Sequence, residues 1–171
     1  VMQFAMMPMQ GVAQGAQPII SYNFGAKNKT RVVKIFKLLL IVCLSYSIIL
    51  CTSIMIFPKA FAGIFTDNQN LVEFASKMLR VYCAGIGIFG IQVACQMTFV
   101  SIGSSLSSII VAVFRKCIVL IPLIYIVPLF LDNKILGVYL AEPIADISAV
   151  IFTTILFALK FRKSLDSISV D

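Results

Sequence analysis

The chain has 171 residues, of which 60% are hydrophobic and 12% are charged, and its formal net charge is +7 at pH 7. These residues supply too little polar surface to cover a soluble globule, so the composition excludes that class and predicts a protein embedded in a lipid bilayer. There is no histidine, and the five cysteines lie in apolar runs without CxxC spacing. We therefore interpret the cysteines as buried apolar residues rather than as redox or metal sites.

The first predicted transmembrane span covers residues 2–21 and contains no charged residue. Its glutamines recur at helical spacing and form one stripe: Gln3, Gln10, Gln14 and Gln17. Amide groups need partners in hydrocarbon, so this stripe is expected to face other helices or a water-filled cavity. Interhelical hydrogen bonding and the lining of a substrate pathway are both open interpretations.

The same helix carries side chains that suit a pocket of adaptable shape. Three methionines form a second stripe: Met2, Met6 and Met9. Flexible thioethers accommodate many ligand shapes, although contact with lipid explains them as well. Asn23, at the inner end of the helix, is a further pathway candidate, but asparagine is also an ordinary residue at a helix terminus.

Four more spans are predicted from apolar runs and from the charged or turn-forming residues that separate them. They cover residues 38–57, 79–100, 107–130 and 136–159. The run 38–57 alone would extend about 30 Å as a helix, the thickness of a bilayer core. The predicted fold is therefore an all-α integral membrane protein with five transmembrane helices, followed by a polar tail at residues 160–171.

Lysine and arginine divide unequally between the two ends of these spans, ten against four. The ten are Lys27, Lys29, Arg31, Lys34, Lys37, Arg115, Lys116, Lys160, Arg162 and Lys163, and the four are Lys59, Lys77, Arg80 and Lys134. Because basic residues favour the cytoplasmic side, residue 1 is expected outside and the C-terminus in the cytoplasm. Topology and attraction to anionic lipid account for the positive charge without a nucleic-acid partner.

Five charged residues fall within the predicted spans, and three of them, Arg115, Glu142 and Asp146, are candidates for a functional role. Glu142 and Asp146 are four residues apart and share one helix face, with Asp146 about 15 Å into the last span. Arg115 lies roughly 12 Å in from the inner end of the fourth span, so it can reach Asp146. The pair of Arg115 and Asp146 fixes the packing of the helices in one interpretation, and the acidic residues handle protons or cations in the other. A carboxylate paired with arginine stays ionised, which makes it a poor proton carrier.

Three stretches resemble the second half of multidrug and toxic compound extrusion (MATE) transporters of the MepA-like bacterial branch. They are MPMQGVAQGAQPIISYNFGAKN, FVSIGSSLSSIIVAVFRK and GVYLAEPIADISAVIFTTILFALKFRK. The resemblance implies two six-helix lobes with cytoplasmic termini, in which these five spans are the eighth to twelfth helices. It also implies export of small cationic or amphipathic drugs across a bacterial inner membrane, driven by H⁺ or Na⁺ through alternating access, with antibiotic resistance as a consequence.

The resemblance also bears on where the coupling ion binds. Coupling acids in that family lie mostly outside the region covered here, or in the helix that corresponds to the third span. Gln92 and Gln96 occupy one face of that span, which contains no acid. Coupling is therefore expected in the N-terminal lobe that precedes these spans, and the two glutamines are candidates for the substrate pathway.

Two alternatives to an exporter remain open at the level of sequence. One is a lipid-linked saccharide flippase of the same superfamily, and the other is a structural membrane subunit that transports nothing. An enzyme is not expected, because the chain has no histidine, no nucleophile motif and no metal constellation. No cofactor beyond the coupling ion is predicted, and the expected partners are the bilayer, the N-terminal lobe and the transported substrate.

Overall fold

The computed structural model describes residues 2–131 and 134–166, and every regular element in that part of the chain is helical. Short non-α segments interrupt the helices: 3-10 turns at Cys83–Gly85 and Val127–Leu129, and a π-helical segment at Phe114–Leu120. The helices are α1 Met2–Gly25, α2 Lys29–Ile56, α3 Pro58–Gly63, α4 Gln69–Tyr82, α5 Ile86–Ser101, α6 Ser105–Val113, α7 Ile121–Ile126 and α8 Lys134–Asp166. The predicted all-α class is confirmed.

Four helical stretches of the described chain are long and apolar enough to cross a membrane. They are Lys29–Ile56, Gln69–Ser101, Ser105–Leu129 and Lys134–Leu165, and they cover the second to fifth predicted spans except residues 57 and 130. The 24-residue helix α1 is not among them, because its glutamines lower its hydropathy. The crossing of the membrane by α1 therefore stays a prediction.

The observed helices extend beyond the predicted spans where charged residues border them. The helical stretch that contains the third predicted span begins at Gln69 rather than near residue 79. Asn68 caps it by accepting hydrogen bonds from the backbone of Asn70 and Leu71. Its charged residues lie along an amphipathic first half. Likewise α8 continues to Asp166, so the first part of the predicted tail at 160–171 is helical. Residues 1, 132, 133 and 167–171 lie outside the described chain.

The core lies where α1, α2, α5 and α8 meet. Phe157 of α8 is stacked at 4.6 Å between ring centroids on Phe36 of α2, and meets Phe99 of α5 edge-on at 5.2 Å. Gly90 lets α5 approach α2 closely, because a Cβ atom there would lie 2.6 Å from the carbonyl carbon of Cys43. Large apolar side chains elsewhere are exposed on the outside of the bundle, as expected for surfaces that face lipid.

The cysteines differ in their environments. All five are free; Cys43, Cys83 and Cys95 are buried, Cys51 is half-buried and Cys117 is exposed. The interpretation as buried apolar residues therefore holds for three of them. Cys117 follows Arg115 and Lys116 in the chain and is exposed, so the interpretation as a buried residue is wrong for it.

Side-chain contacts bring one set of helix ends together. Ser21 at the end of α1 donates a hydrogen bond to the carbonyl of Ser101 at the end of α5, at 2.8 Å. Lys160 near the end of α8 donates to Ser107 in the first turn of α6, at 2.9 Å. The basic residues around these ends therefore share one end of the bundle, as the charge count requires. The assignment of that end to the cytoplasm stays a prediction.

Candidate functional site

A cluster of three charged side chains connects the π-helical segment with α8. Arg115 donates from Nε to Oδ1 of Asp146 at 2.8 Å, and from Nη2 to Oε1 of Glu142 at 3.2 Å. The side chains of Arg115, Glu142 and Asp146 are 16%, 15% and 5% exposed, respectively. A single guanidinium therefore bridges both carboxylates in a largely buried position, where charge-assisted hydrogen bonds are strong.

The backbone is irregular on each element that supplies this cluster. Arg115 lies in the π-helical segment Phe114–Leu120, and Pro143 stands in α8 between the two acidic residues. The turn before α5 contains Gly85, where a Cβ atom would lie 3.0 Å from Cα of Pro143 and from Cβ of Asp146. Glycine therefore permits the close approach that seals the cluster on this side. Helix irregularities of this kind are frequent at functional sites.

Aromatic side chains complete the surroundings of the arginine. Cζ of Arg115 lies 4.6 Å from the centre of the Phe89 ring, which is a cation–π distance. Tyr82 borders the same space and meets Tyr139 edge-on, with ring centroids 6.2 Å apart. The guanidinium is thus held by two carboxylates and the face of an aromatic ring.

A cavity of about 250 Å³ adjoins this cluster. One wall comes from α1, another from α4 and α5, and the third from the charged residues. The lining residues are Gln3, Met6, Gln10, Tyr82, Ile86, Phe89, Arg115, Lys116, Glu142 and Asp146. The cavity combines apolar, aromatic, amide and charged surface, which suits an amphipathic ligand better than a simple ion.

The structure brings together only part of the predicted pathway set. Met6 and Gln10 line the cavity with the three charged residues. Gln14 is exposed on α1 and Gln17 is half-buried, and neither lines it. Asn23 is buried and donates from Nδ2 to the carbonyl of Ile19, four residues earlier in the same helix, at 2.8 Å. This contact favours the structural interpretation of Asn23.

The two glutamines of α5 lie apart from the cavity. Gln96 is half-buried, whereas Gln92 is only 2% exposed and its Oε1 has no hydrogen-bond partner among the described residues. Thr153 of α8 is also buried, and its hydroxyl oxygen has no partner in the same part of the chain. The contacts of Gly85 with Asp146 and of Phe99 with Phe157 show that α5 and α8 run parallel, which puts Gln92 and Thr153 at the same level of the bundle.

Some residues of the site were not among the sequence candidates. They are Gln3, Tyr82, Phe89 and Lys116, of which Gln3 is on the amide stripe already described. The spacing of Tyr82 and Phe89, seven residues apart, is the signal that they share a helix face. Such spacing is common in apolar helices, so it could not single them out. In the described residues, no group of three histidine, cysteine or acidic side chains is positioned to hold a metal ion.

A larger cavity, of about 490 Å³, lies between α4 and the end of α2, at the end of the bundle opposite to Lys160. Its basic lining residues, Lys59, Lys77 and Arg80, are exposed, and Glu73 forms a surface ion pair with Lys77 at 3.2 Å. None of the predicted site residues lines this space. The smaller cavity beside Arg115 is therefore the candidate site.

Comparison with known proteins identifies the family. The model of the MatE family matches residues 1–126, which is most of the chain. The chain belongs to the MatE family. This result confirms the resemblance drawn from sequence. Proteins of the MatE family are membrane transporters and not enzymes, which agrees with the expectation of no catalytic site.

Curated relatives match nearly the whole chain. The multidrug export protein MepA of Staphylococcus aureus (strain NCTC 8325 / PS 47) is 26% identical over 169 residues, which cover 98% of this chain and 36% of MepA. MepA of Staphylococcus saprophyticus is 24% identical over 168 residues, with 97% and 36% coverage. The chain thus spans about a third of the length of these MatE proteins.

Solved structures of MATE proteins are similar to this chain. The MATE multidrug transporter DinF-BH is 31% identical, with a TM-score of 0.84 over 96% of this chain and 36% of that protein. A MATE protein in the bent conformation gives a TM-score of 0.90 over 98% of this chain and 37% of its own, at 15% identity. The second match shows the fold alone, and it extends over almost all of this MatE chain.

Proposed function

We propose that this chain forms part of the second lobe of a secondary active multidrug exporter. Its five predicted spans would be the eighth to twelfth helices of twelve, and the N-terminal lobe would be their partner. The observation that carries the proposal is the match of 97–98% of the chain to proteins named as multidrug exporters. The substrates would be small cationic or amphipathic compounds, moved by alternating access in exchange for H⁺ or Na⁺.

The exposed surface of α1 supports an N-terminal lobe that faces this helix. Gln3, Gln10 and Gln14 are exposed, so the described helices leave this amide stripe uncovered. Amide groups are unfavourable in hydrocarbon, which makes a lipid-facing stripe costly. A facing lobe with a hydrated pathway between the two would satisfy these groups in every stage of the cycle.

The arrangement of charges bears on ion coupling. In the cavity both acidic side chains are already held by hydrogen bonds from Arg115. A coupling ion would have to compete with the guanidinium for these carboxylates, so this cluster is a poor coupling site. We therefore assign the coupling site to the N-terminal lobe, with the basic helix ends and the C-terminus in the cytoplasm of a bacterial cell.

The two alternatives receive no comparable support. The matched relatives and structures are described as multidrug exporters, which does not favour a saccharide flippase. A flippase would also need several basic residues facing the cavity to bind phosphate, and here Arg115 is already engaged by acids. A non-transporting subunit would have no need of a polar cavity open to the helix surface.

Efflux from cells tests the proposal. The full-length protein that contains this chain would be expressed in bacteria lacking their main exporters, and accumulation of ethidium and tetraphenylphosphonium would be followed. We expect lower accumulation than in vector-only cells, and restoration of accumulation when a protonophore and a sodium ionophore collapse both ion gradients. Unchanged accumulation of both cations, with the protein present in the membrane fraction, would contradict the proposal.

A further inference from the structure

We propose that Arg115 acts as a tethered cation, which occupies a binding site for organic cations and leaves it when a substrate arrives. This inference rests on the proposed function and deepens it, because it names the residues that receive the substrate's charge. The site consists of the carboxylates of Glu142 and Asp146 and the ring of Phe89. Below, these three side chains are called the cation cradle.

The contacts of Arg115 show what the cation cradle can hold. Its guanidinium donates to two carboxylates at 2.8 and 3.2 Å and lies 4.6 Å from the Phe89 ring centre. Carboxylates together with an aromatic face are the groups that recognise planar and quaternary organic cations. The structure therefore contains an occupied example of such recognition, with the guanidinium supplied by the chain itself.

The cation cradle is accessible from the cavity. Both carboxylates, Phe89 and Arg115 line the same space of about 250 Å³, opposite Gln10 of α1. Among the described residues, the polar contacts of the Arg115 side chain are those with the two carboxylates. A long side chain held only at its tip can swing away once another cation takes over those contacts. The π-helical segment that carries it is already irregular.

Charge balance favours exchange over simple addition. The charged residues that line the cavity are Arg115, Lys116, Glu142 and Asp146, two positive and two negative. A further cation would leave this partly buried space with a net positive charge, which is costly where the dielectric constant is low. If Arg115 moves out as the substrate enters, the balance is preserved. The ligand class is therefore a monovalent organic cation with an aromatic or guanidinium group.

Removal of the tethered cation provides the test. In the full-length protein, purified in detergent, Arg115→Ala should leave the cation cradle empty and unbalanced. If free wild-type protein has Arg115 displaced in about one molecule in ten, its affinity for a guest is weakened about tenfold. We therefore expect tetraphenylphosphonium to bind Arg115→Ala about tenfold more tightly than wild type. Ethylguanidinium at millimolar concentration should raise the thermal midpoint of the variant, while an equal concentration of sodium chloride should not.

Two controls distinguish the effect of an occupied cation cradle from the effect of the charge in the cavity. Lys116→Ala removes the same charge from the same cavity but leaves the cation cradle occupied, so any gain in affinity should stay well below the roughly tenfold gain expected for Arg115→Ala. Arg115→Ala combined with Glu142→Gln and Asp146→Asn keeps the space but removes the carboxylates, and the gain in affinity should disappear. Equal gains in Lys116→Ala and Arg115→Ala would overturn the inference, because charge alone would then explain both.

A second variant covers the case in which Arg115→Ala does not fold. Arg115→Lys keeps one positive charge but cannot bridge both carboxylates, so guest affinity should rise about two- to threefold. An affinity equal to wild type in every folded variant would overturn the tethered-cation inference even if wild-type protein expels dye from cells. Conversely, tighter binding by Arg115→Ala without any cellular efflux would contradict the proposed function and leave the cation cradle intact.

Discussion

The contact between α5 and α8 has two halves that are built differently. Near Gly85 it is polar, with Asp146 and Glu142 holding Arg115 beside a cavity. Near Phe99 it is dry, and Phe157 is stacked on both Phe36 and Phe161. Both halves join the same pair of parallel helices. The comparison therefore isolates what a polar contact contributes that close aromatic packing does not.

The difference concerns how many arrangements each half allows. Stacked rings fill a space of fixed shape, and their removal leaves a void that no other group can fill. An ion cluster can exchange one cation for another at little cost, provided that the charges stay balanced. A transporter needs a fixed frame and a contact that can change partners. Under the tethered-cation inference, the aromatic half would serve as the frame of this helix bundle and the polar half as the exchangeable contact.

Breaking the polar half should have the largest effect. Asp146→Ala leaves Arg115 with one partner in a buried position, and removal of one member of a buried ion pair costs about 3–5 kcal/mol. We expect a marked fall in the thermal midpoint of the full-length protein in detergent. The triple variant Arg115→Met, Glu142→Gln, Asp146→Asn should be more stable than Asp146→Ala, because it leaves no unpaired charge. Equal stability of the two variants would show that charge pairing is not what holds this half together.

Substitutions in the aromatic half should lower the free energy of unfolding slightly less. No compensating change of charge can restore this loss. Phe157→Ala removes a ring that contacts three others, and the expected loss is about 3 kcal/mol from the void alone. Phe157→Leu should recover roughly half of that loss, because it refills part of the volume. Thermal unfolding measures both, and ethidium efflux at a permissive temperature should persist in each. Lost efflux in a folded Phe157→Leu protein would show that this half takes part in the transport cycle.

The same contrast explains how far sequence reasoning could go. The meeting of Arg115 with Asp146 follows from helix rise alone, because the depth of each residue in its span is fixed once the span is located. The contact of Arg115 with Phe89 depends on the rotation of α5 and on the π-helical segment, and neither leaves a clear sequence pattern. Asn23 shows the opposite limit, because its side-chain amide donates to the carbonyl of Ile19 in its own helix. Residue type could not distinguish that local contact from a place in the pathway.

Helix ends were the other part that sequence could not define. Charged residues such as Glu73 and Lys77 border an apolar run, and for that reason the predicted third span begins at residue 79. In the structure both residues lie within α4, because an amphipathic helix can continue past the apolar core with its polar face exposed. Hydropathy is enough to locate four of the predicted spans in the described chain, whereas helix ends need the three-dimensional surroundings.

The smallest expected effect concerns the cavity wall supplied by α1. Gln10→Leu removes an exposed amide, so the thermal midpoint should stay close to that of wild type. If Gln10 hydrogen-bonds a bound substrate, ethidium efflux should fall about two- to tenfold, the value of one net hydrogen bond. Gln14→Leu is the matched control, because it makes the same change on the same stripe outside the cavity. If both variants lose ethidium efflux equally, the glutamine stripe acts as a surface that faces the other lobe. If only Gln10→Leu loses efflux, the effect belongs to the cavity.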